Sequence, residues 1–357
     1  MAETNPIEQP DGSIPTVSMT TLPIAGLKVD IYGLDELPST AAAISCLWLH
    51  HPRLRCKEDM ADTAHLILST FRRQEEAGAG PGRGKRGLIA VAFDQRNHGS
   101  RIVDDKANKA WRGGNGTHAQ DMFSIVSGTV IDTIHLMDVL EGYLFGAGGG
   151  PGAMAGDGQR RIDQNMVLGV SLGGHSAWQL LMADPRVTAG TMVIGCPDYM
   201  KLLQDRARKS KLQTYSSDDD GASFIGSTDF PEALVSSCKK FDPKAILFGT
   251  SAVPSTISAE DQDRIRPILD ARIRGKRFQI LSGGADKLVP YKMSAPFLDC
   301  FKDAINGWYK DGGVYVEDNV YPKVGHEFNK DMGKDALRFI FDTVAQADGS
   351  KATSSKI

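Results

Sequence analysis

Residues 166–181 read MVLGVSLGGHSAWQLL, and this stretch decides the fold. Its first five residues, MVLGV, are apolar, as in a strand of a parallel sheet that is buried on both faces. Ser171 follows within the pattern Gly-x-Ser-x-Gly, between Gly169 and Gly173. The next residues predict a helix over 172–183, which ends before Pro185. The sequence therefore predicts a strand, a tight turn at Ser171 and a helix.

The position of Ser171 is more informative than the short pattern around it. Such a pattern also arises by chance in a chain with 38 glycines, so its place between a strand and a helix carries the prediction. A side chain at Gly169 or Gly173 would clash with neighbouring backbone in a turn this tight. The N-terminus of the following helix also favours negative charge that develops nearby. These features are typical of a serine nucleophile.

Short apolar runs alternate with longer helical patterns on both sides of this stretch. Strands are predicted over six further segments, at residues 29–34, 44–49, 88–93, 189–194, 278–281 and 314–320. Helices are predicted over residues 58–76, 118–144, 293–309 and 330–345. Strands separated by helices indicate the α/β class, with a mostly parallel central sheet and helices on both faces.

The interval 200–276 interrupts this alternation. It is too long for an irregular loop, and apolar residues such as Leu202 and Phe224 argue against a disordered tether. We therefore predict one core, formed by residues 1–199 and 277–347, with residues 200–276 as a largely helical lid or cap insertion. A packing insertion with no gating role is the alternative. Residues 348–357 are predicted to be a disordered C-terminal tail.

A serine hydroxyl needs partners before it can act as a nucleophile. It requires a base, and the base requires a carboxylate that orients it. Asp286 follows the predicted strand at 278–281, and His326 follows the predicted strand at 314–320. Both therefore lie at carboxyl ends of strands, where open α/β sheets carry their sites. The sequence predicts a catalytic triad of Ser171, Asp286 and His326, with Asp198 as the alternative acid.

Over residues 29–345 the chain resembles the α/β-hydrolase superfamily. The match is strongest at the turn around Ser171. The segment GGADKLVP at residues 283–290 looks like the acid loop of that family, and Gly325-His326 looks like its histidine loop. The resemblance implies an α/β-hydrolase fold with a helical lid insertion.

A further segment, DQRNHGS at residues 94–100, is similar to a loop that follows the fourth strand in this family. Asn97 and His98 depart from the usual pattern in its middle. We interpret Asp94 and Arg96 as structural residues of this loop.

The resemblance also implies an oxyanion hole made of two backbone N–H groups. One donor belongs to Leu172, the residue after the nucleophile. The second follows the strand at 44–49, where many relatives carry His-Gly-x-Pro and this chain has Leu49-His50-His51-Pro52. If Pro52 takes the place of the family's proline, the donor is the N–H of His51, since proline has none.

The resemblance implies a cofactor-independent serine hydrolase. It would cleave a carboxylic ester, a lactone or a thioester through an acyl-enzyme on Ser171, and its partner would be a small-molecule acyl substrate. An acyltransferase that uses a non-water acceptor and a non-catalytic ligand-binding protein are the alternatives. Substrate identity and oligomeric state stay open.

Composition narrows the range of functions. The net charge is −3, and no run of Lys and Arg forms a nucleic-acid footprint. No apolar stretch reaches the roughly 20 residues of a membrane span. Five scattered cysteines without a CxxC pair indicate neither a disulfide framework nor a zinc site. We therefore expect no metal, no cofactor and no nucleic-acid partner.

The two ends of the chain bear on its location. Residues 1–13 are polar and lack the apolar core of a signal peptide. The C-terminal Ser355-Lys356-Ile357 is a conservative variant of the peroxisomal address Ser-Lys-Leu. We predict an intracellular protein, cytoplasmic or peroxisomal, with a frayed terminus as the alternative interpretation of the last three residues. A peroxisomal location would favour a thioester substrate, because acyl-CoA chemistry is found there.

Overall fold

A computed structural model describes residues 5–8, 13–82, 85–146, 150–151 and 160–347. The predicted tail at 348–357, which carries Ser355-Lys356-Ile357, lies outside the described residues. The interval 200–276 and the three predicted triad residues lie within them, as does the predicted core except for the gaps between these ranges.

Eight strands of the described residues form one sheet. From β1 to β8 they are Met19–Ile24, Leu27–Tyr32, Ala43–His50, Arg86–Phe93, Arg161–Val170, Val187–Val193, Arg277–Gly283 and Tyr315–Tyr321. Their order across the sheet is β1-β2-β4-β3-β5-β6-β7-β8. The strands from β3 to β8 pair in parallel, whereas β2 is antiparallel to both β1 and β4. The prediction of a mostly parallel sheet is confirmed.

Helices cover both faces of this sheet. The described residues contain nine α-helices, from α1 to α9: Ala61–Glu76, His118–Phe145, Leu172–Ala183, Tyr199–Ser210, Glu232–Phe241, Pro243–Phe248, Ala259–Arg272, Tyr291–Asn306 and Lys330–Ala347. Residues of α1 and α9 share one apolar cluster, and residues of α2, α3, α7 and α8 share the other. The predicted α/β class with helices on both faces is therefore confirmed.

Strand β3 illustrates why a central strand reads as an unbroken apolar run. Its side chains alternate between the two faces. Cys46 and Trp48 belong to the cluster that contains α2 and α3, whereas Leu47 and Leu49 belong to the cluster that contains α1 and α9. All four are fully buried. Burial of each large apolar side chain stabilises the fold by about 1.5–3 kcal/mol, which fixes the register of β3 in the sheet.

The edge strand β1 was not predicted. Its first five side chains alternate between exposed and partly buried positions, and it contains Pro23. Proline removes a ladder hydrogen bond and is tolerated at a sheet edge. An edge strand that lacks a buried run gives no strong hydrophobic signal, so the sequence placed the first strand at 29–34 instead.

The predicted insertion at 200–276 contains two parts. Helices α4, α5 and α6 share an apolar cluster with the first turns of α2, which includes Phe123, Leu202 and Phe224. Helix α7 packs instead in the main cluster through Ile265 and Leu269. A parallel pair such as β6 and β7 needs a crossover connection, usually helical, and α7 lies in that connection. Helix α6 contributes to both clusters, through Ala245 and Leu247, so α4–α6 are the part of the insertion that shares the cluster with α2.

One described helix, α2, is long and apolar enough to cross a membrane by length and composition. Half of its most apolar window is buried inside the protein. Its residues Val130, Leu136 and Leu140 lie in the main apolar cluster. Core helices of globular proteins meet the same criterion, so the composition of α2 is explained by its packing.

Candidate active site

The turn between β5 and α3 holds Ser171 in a strained backbone conformation. Its φ is 56° and its ψ is −109°, in the left-handed region that residues other than glycine rarely adopt. Such a residue costs on the order of 1–3 kcal/mol and persists only where its surroundings impose it. This conformation turns the chain away from the direction of β5. It places the Ser171 side chain at the carboxyl edge of the sheet.

The two glycines of this turn are required by close backbone approach. A Cβ at Gly169 would meet the carbonyl of Gly173, and a Cβ at Gly173 would meet the carbonyl of His50. Both neighbours are backbone atoms that cannot rotate away. The steric prediction for the pattern Gly-x-Ser-x-Gly therefore agrees with the contacts of these residues.

The side chains of Ser171, His326 and Asp286 form a hydrogen-bonded row. Ser171 Oγ lies 2.8 Å from Nε2 of His326. On the other side of the ring, His326 Nδ1 lies 2.7 Å from Asp286 Oδ2. The Asp286 side chain is fully buried, whereas the His326 side chain is 17% exposed. The structure thus brings together the three residues that the sequence predicted as a triad.

The carboxylate of Asp286 is held by its own loop. Its Oδ1 accepts hydrogen bonds from the N–H groups of Leu288, at 2.8 Å, and Val289, at 2.9 Å. Burial alone would raise the pKa of Asp286, but the hydrogen bond from His326 and these backbone bonds lower it below its ordinary value. The carboxylate is therefore ionised at neutral pH and accepts the Nδ1–H of His326.

The loops after β7 and β8 are tied to each other. Gly284 N donates to the carbonyl of Tyr321 at 2.8 Å, and Ala285 N donates to the carbonyl of Val324 at 2.9 Å. A Cβ at Gly283 would meet the carbonyl of Gly325. These contacts fix the distance between the acid loop and the histidine loop, and so they fix the row of side chains.

Strand order and site agree on one architecture. The nucleophile turn connects a central strand to a helix, and an acid and a histidine follow two later strands in that chain order. The chain has the α/β-hydrolase fold. In this α/β-hydrolase fold, all three side chains lie at the carboxyl ends of parallel strands, where open sheets carry their sites.

Comparisons with known proteins find similar solved structures at low sequence identity. Neither a family model nor a curated protein matches the chain. Similar solved structures include dipeptidyl peptidase 4 of Porphyromonas gingivalis, with 14% identity, a TM-score of 0.49 and coverage of 92% of this chain and 36% of that one. TT1662 from Thermus thermophilus has 15% identity and a TM-score of 0.43, and 92% of this chain and 98% of that one are covered.

A cold-adapted esterase from an Arctic intertidal metagenomic library is also similar, with 12% identity, a TM-score of 0.43 and coverage of 90% and 92%. The chain spans about a third to two fifths of the length of several of these structures, such as the dipeptidyl peptidase at 36% and puromycin hydrolase at 41%.

The two predicted oxyanion donors lie at the start of α3 and directly after β3. Leu172 is the first residue of α3, where a backbone N–H has no partner within the helix. His51 directly follows β3 and is fully buried. Its ring is fixed, because Nε2 accepts the N–H of Gln95 at 3.0 Å while Nδ1 faces the carbonyl of Pro52 at 2.8 Å.

Only the neutral Nδ1–H tautomer of His51 satisfies both of these bonds. Burial and the neighbouring His98 lower the pKa of His51 to about 4, which agrees with a neutral ring. The side-chain amide of Gln95 also donates to the carbonyl of His51. The peptide after β3 is thereby held in one orientation.

The loop at 94–100 has hydrogen bonds of a structural kind. Asp94 is buried and accepts from the N–H groups of Lys57 and Ser100, at 2.9 and 2.8 Å. Arg96 pairs with Asp132 at 2.9 Å. These bonds agree with our interpretation of Asp94 and Arg96 as structural residues.

Asp198, the alternative acid, has a different role. It is the N-cap of α4 and accepts the N–H of Lys201 at 3.0 Å. The carboxylate that contacts His326 is that of Asp286. The geometry therefore favours Asp286 over Asp198 as the partner of the histidine.

A pocket of about 160 Å³ opens at Ser171 and His326. Its other walls come from α4, from the loop after β3, from the loop before α2 and from the acid loop. The residues that sequence reasoning missed include Arg53, Trp111, Arg112, His118, Arg206 and Lys209. The only local signal for any of them was the basic segment RARKSK at residues 206–211, and nothing in that segment indicates that it faces Ser171.

A larger cavity of about 360 Å³ lies elsewhere, against α1 and α9. Apolar side chains such as Leu66, Phe328 and Leu337 line it, and none of the three triad residues does. Within the described part of the chain, no three His, Cys, Asp or Glu side chains are grouped as metal ligands would be. The chemistry of the side chains, rather than cavity size, identifies the pocket at Ser171 as the candidate site.

Proposed function

We propose that the protein is a serine hydrolase that cleaves a carboxylic ester, a lactone or a thioester through an acyl-enzyme on Ser171. The observation that carries this proposal is the unbroken row of hydrogen bonds from Ser171 Oγ through His326 to Asp286, at 2.8 and 2.7 Å. A serine in such a row is activated as a nucleophile because the histidine can accept its proton.

In the acylation step, each of Ser171, His326 and Asp286 has one role. Ser171 Oγ forms a bond to the carbonyl carbon of the substrate, and its proton moves to Nε2 of His326. The carbonyl oxygen then carries the negative charge. When the tetrahedral intermediate collapses, the bond to the leaving alkoxide or thiolate breaks, and the leaving group takes the proton from His326. The ionised Asp286 stabilises the imidazolium that exists between these transfers.

Deacylation repeats these steps with water. His326 removes a proton from water, the resulting hydroxyl oxygen attacks the acyl carbon, and Ser171 leaves with the proton. The acid product and the free serine are then released. The same residues serve both half-reactions, so the chemistry requires no cofactor.

The backbone N–H groups of Leu172 and His51 are our proposed oxyanion donors. The strained turn at Ser171 supports the first, because it begins α3 with Leu172 beside the nucleophile. The fixed ring of His51 supports the second, because it holds the adjacent peptide in place. Removal of one such donor typically slows turnover by about 10²–10³-fold. We further propose that α4–α6 form a cap over the small-molecule acyl substrate.

Hydrolysis of activated esters tests this function. We expect the purified protein to hydrolyse p-nitrophenyl hexanoate, and Ser171→Ala to lower kcat by about 10⁴–10⁶-fold, because the nucleophile is lost while the fold is kept. Ser210 lines the same pocket and offers a matched control, since Ser210→Ala removes an equal hydroxyl. Equal activity of wild type and Ser171→Ala would contradict the proposal.

The same assay separates hydrolysis from acyl transfer. Adding methanol or glycerol to the reaction offers a second acceptor for the acyl-enzyme. A hydrolase gives mainly the free acid under these conditions, whereas an acyltransferase gives mainly the new ester. A protein that binds the ester without turnover would be a non-catalytic member of the fold.

A further inference from the structure

The pocket beside Ser171 is rich in positive charge. Five of its lining side chains are cationic: Arg53, Arg112, Arg206, Lys209 and Lys287. None of the described residues that line it is Asp or Glu. The chain as a whole is slightly acidic, with 44 acidic and 41 basic residues, so these cations are concentrated at the site.

The five cations come from four segments that converge on the nucleophile. Arg206 and Lys209 are three residues apart on α4 and so lie on the same face of that helix. Arg53 follows the peptide after β3, Arg112 precedes α2, and Lys287 directly follows the triad acid. Their common direction is a property of the tertiary structure.

Carbonyl oxygens hold several of these cations in position. Arg53 donates to the carbonyl of Asn108 at 2.8 Å, and Arg112 donates to the carbonyl of Lys209. The ammonium group of Lys209 donates to the carbonyl of Lys287 at 2.8 Å. A carbonyl orients a cation without cancelling its formal charge.

One carboxylate offsets part of the charge. Asp205 lies 2.7 Å from the ammonium group of Lys209 and 2.7 Å from the guanidinium of Arg208, so it is shared between two cations. Asp205 is not one of the residues that line the pocket. The five lining cations still leave a surplus of positive charge in the pocket. This surplus, and not the lack of a partner at any one side chain, would attract an anion.

The charge of Arg206 reaches the groups around the nucleophile. Burial together with Arg206 and Arg53 lowers the pKa of His118, which lines the pocket, to about 3. Burial and Arg206 likewise lower the pKa of His175, on the helix that begins after Ser171, to about 3. Both histidines are therefore neutral at pH 7, and the permanent cations set the sign of the site.

We propose that the substrate carries an anionic group, a carboxylate or a phosphate, close to its scissile carbonyl, and that this group binds against the cationic wall of the pocket. The proposal rests on the proposed hydrolase function. The pocket volume of about 160 Å³ is smaller than the roughly 300–1,000 Å³ of sites for drug-sized ligands, which fits a short acyl chain. Guanidinium groups recognise carboxylate and phosphate by paired hydrogen bonds.

Matched esters test this proposal on the wild-type protein. The acyl-side pair is p-nitrophenyl hydrogen adipate and its neutral amide, p-nitrophenyl adipamate, which have nearly the same shape. A third ester with a terminal phosphonate distinguishes phosphate from carboxylate. The leaving-group pair is 4-carboxyphenyl hexanoate and 4-carbamoylphenyl hexanoate. We expect kcat/KM to be about 10–100-fold higher for an anionic ester than for its neutral match.

Two substitutions on one helix sharpen the test. Arg206→Gln should lower the preference for the anionic ester over its neutral match by about tenfold, chiefly through a higher KM for the anionic ester. Arg208→Gln is the matched control, since Arg208 is also on α4 and pairs with Asp205 but does not line the pocket. Lys287→Gln, at an exposed position, should also lower the preference for the anionic ester. The test therefore does not depend on whether the Arg206 variant folds.

Failure of this inference can be distinguished from failure of the function. If wild type hydrolyses neutral esters through Ser171 but shows no preference for any anionic partner, the anionic substrate is overturned and the hydrolase stands. If no ester is hydrolysed and no acyl group reaches Ser171, both proposals are overturned. A preference that survives Arg206→Gln and Lys287→Gln unchanged would also contradict the cationic wall.

Discussion

The two walls of the pocket at Ser171 are built in different ways. We define the strand wall as Ser171, Asp286 and His326, which lie at the ends of β5, β7 and β8. We define the helical wall as α4 together with residues 105–118, before α2. Backbone contacts between loops and short hydrogen bonds fix the strand wall. The helical wall is held by aromatic packing, such as Phe123 on Tyr199 at 5.0 Å between ring centroids.

This difference predicts separate roles for the two walls, one in the chemical reaction and one in the choice of substrate. The strand wall depends on the geometry of one sheet edge, so any chain with this fold can place a nucleophile, a base and an acid there. The helical wall depends on α4 and a loop, which carry side chains that the sheet does not constrain. We expect changes in the strand wall to abolish turnover and changes in the helical wall to alter which substrate is turned over.

We expect the largest difference in kcat between variants that replace one carboxylate in each wall. In Asp286→Asn, the amide oxygen can still accept from Leu288 and Val289, so the NH₂ group would face His326. His326 would then carry its proton on Nε2 and could not accept one from Ser171. We expect kcat to fall by about 10⁴-fold. Asp205→Asn, on the helical wall, should lower kcat by less than about tenfold; equal losses in the two variants would erase the distinction.

The stability of the protein at acid pH tests whether both walls contain neutral histidines. Burial lowers the pKa of His50 to about 3 and that of His175 to about 3 behind the strand wall, and that of His118 to about 3 in the helical wall. These values lie below the ordinary histidine pKa of about 6.5 in the unfolded chain. Between these limits the unfolded chain binds more protons, so the free energy of unfolding falls as pH falls.

Each of these histidines should remove about 1.4 kcal/mol per pH unit within that window. We expect the urea midpoint to drop steeply between pH 6.5 and pH 5. His118→Gln should make the slope shallower, since one of the neutral histidines is removed. A midpoint that stays constant from pH 7 to pH 5 would contradict the burial of these rings as neutral groups.

The smallest effect concerns the backbone under the strand wall. Gly173→Ala would press a methyl group against the carbonyl of His50, so we expect a loss of about 1–3 kcal/mol in the free energy of unfolding, with reduced turnover. Gly333→Ala is the matched control, because a Cβ at that helical position meets nothing within 4 Å. Alanine there should stabilise α9 by up to about 1 kcal/mol. A neutral Gly173→Ala would mean that the turn is less crowded than its contacts indicate.

The strand wall could be predicted from sequence because its signals are local. A buried run, two glycines and a following helix surround Ser171, and Asp286 and His326 each follow a strand. No separate helix was predicted at α7, because half of its sequence, AEDQDRIRPILDAR, is charged and the sequence contains Pro267. Only Ile265 and Leu269 of its residues are buried, which is too few for a clear helical period.

The cationic lining of the pocket, to which the helical wall contributes Arg112 and Arg206, could not be predicted from sequence. Arg53, Arg112, Arg206 and Lys287 are far apart in the chain and share no pattern. Each alone reads as a solvated surface residue, which is the usual place of arginine and lysine. Their convergence arises from the packing of α4 against α2, where Tyr199 Oη donates to the carbonyl of Ala119 at 2.6 Å.

Covalent labelling tests the central claim most directly. A fluorophosphonate probe reacts with a serine only when a neighbouring base activates it. We would incubate the folded protein with the probe and locate the adduct by mass spectrometry, with Ser171→Ala and Ser210→Ala in parallel. One adduct per chain on Ser171, kept in Ser210→Ala and absent from Ser171→Ala, is the result we predict. An adduct on another residue, or an unlabelled Ser171 in folded protein, would contradict the account.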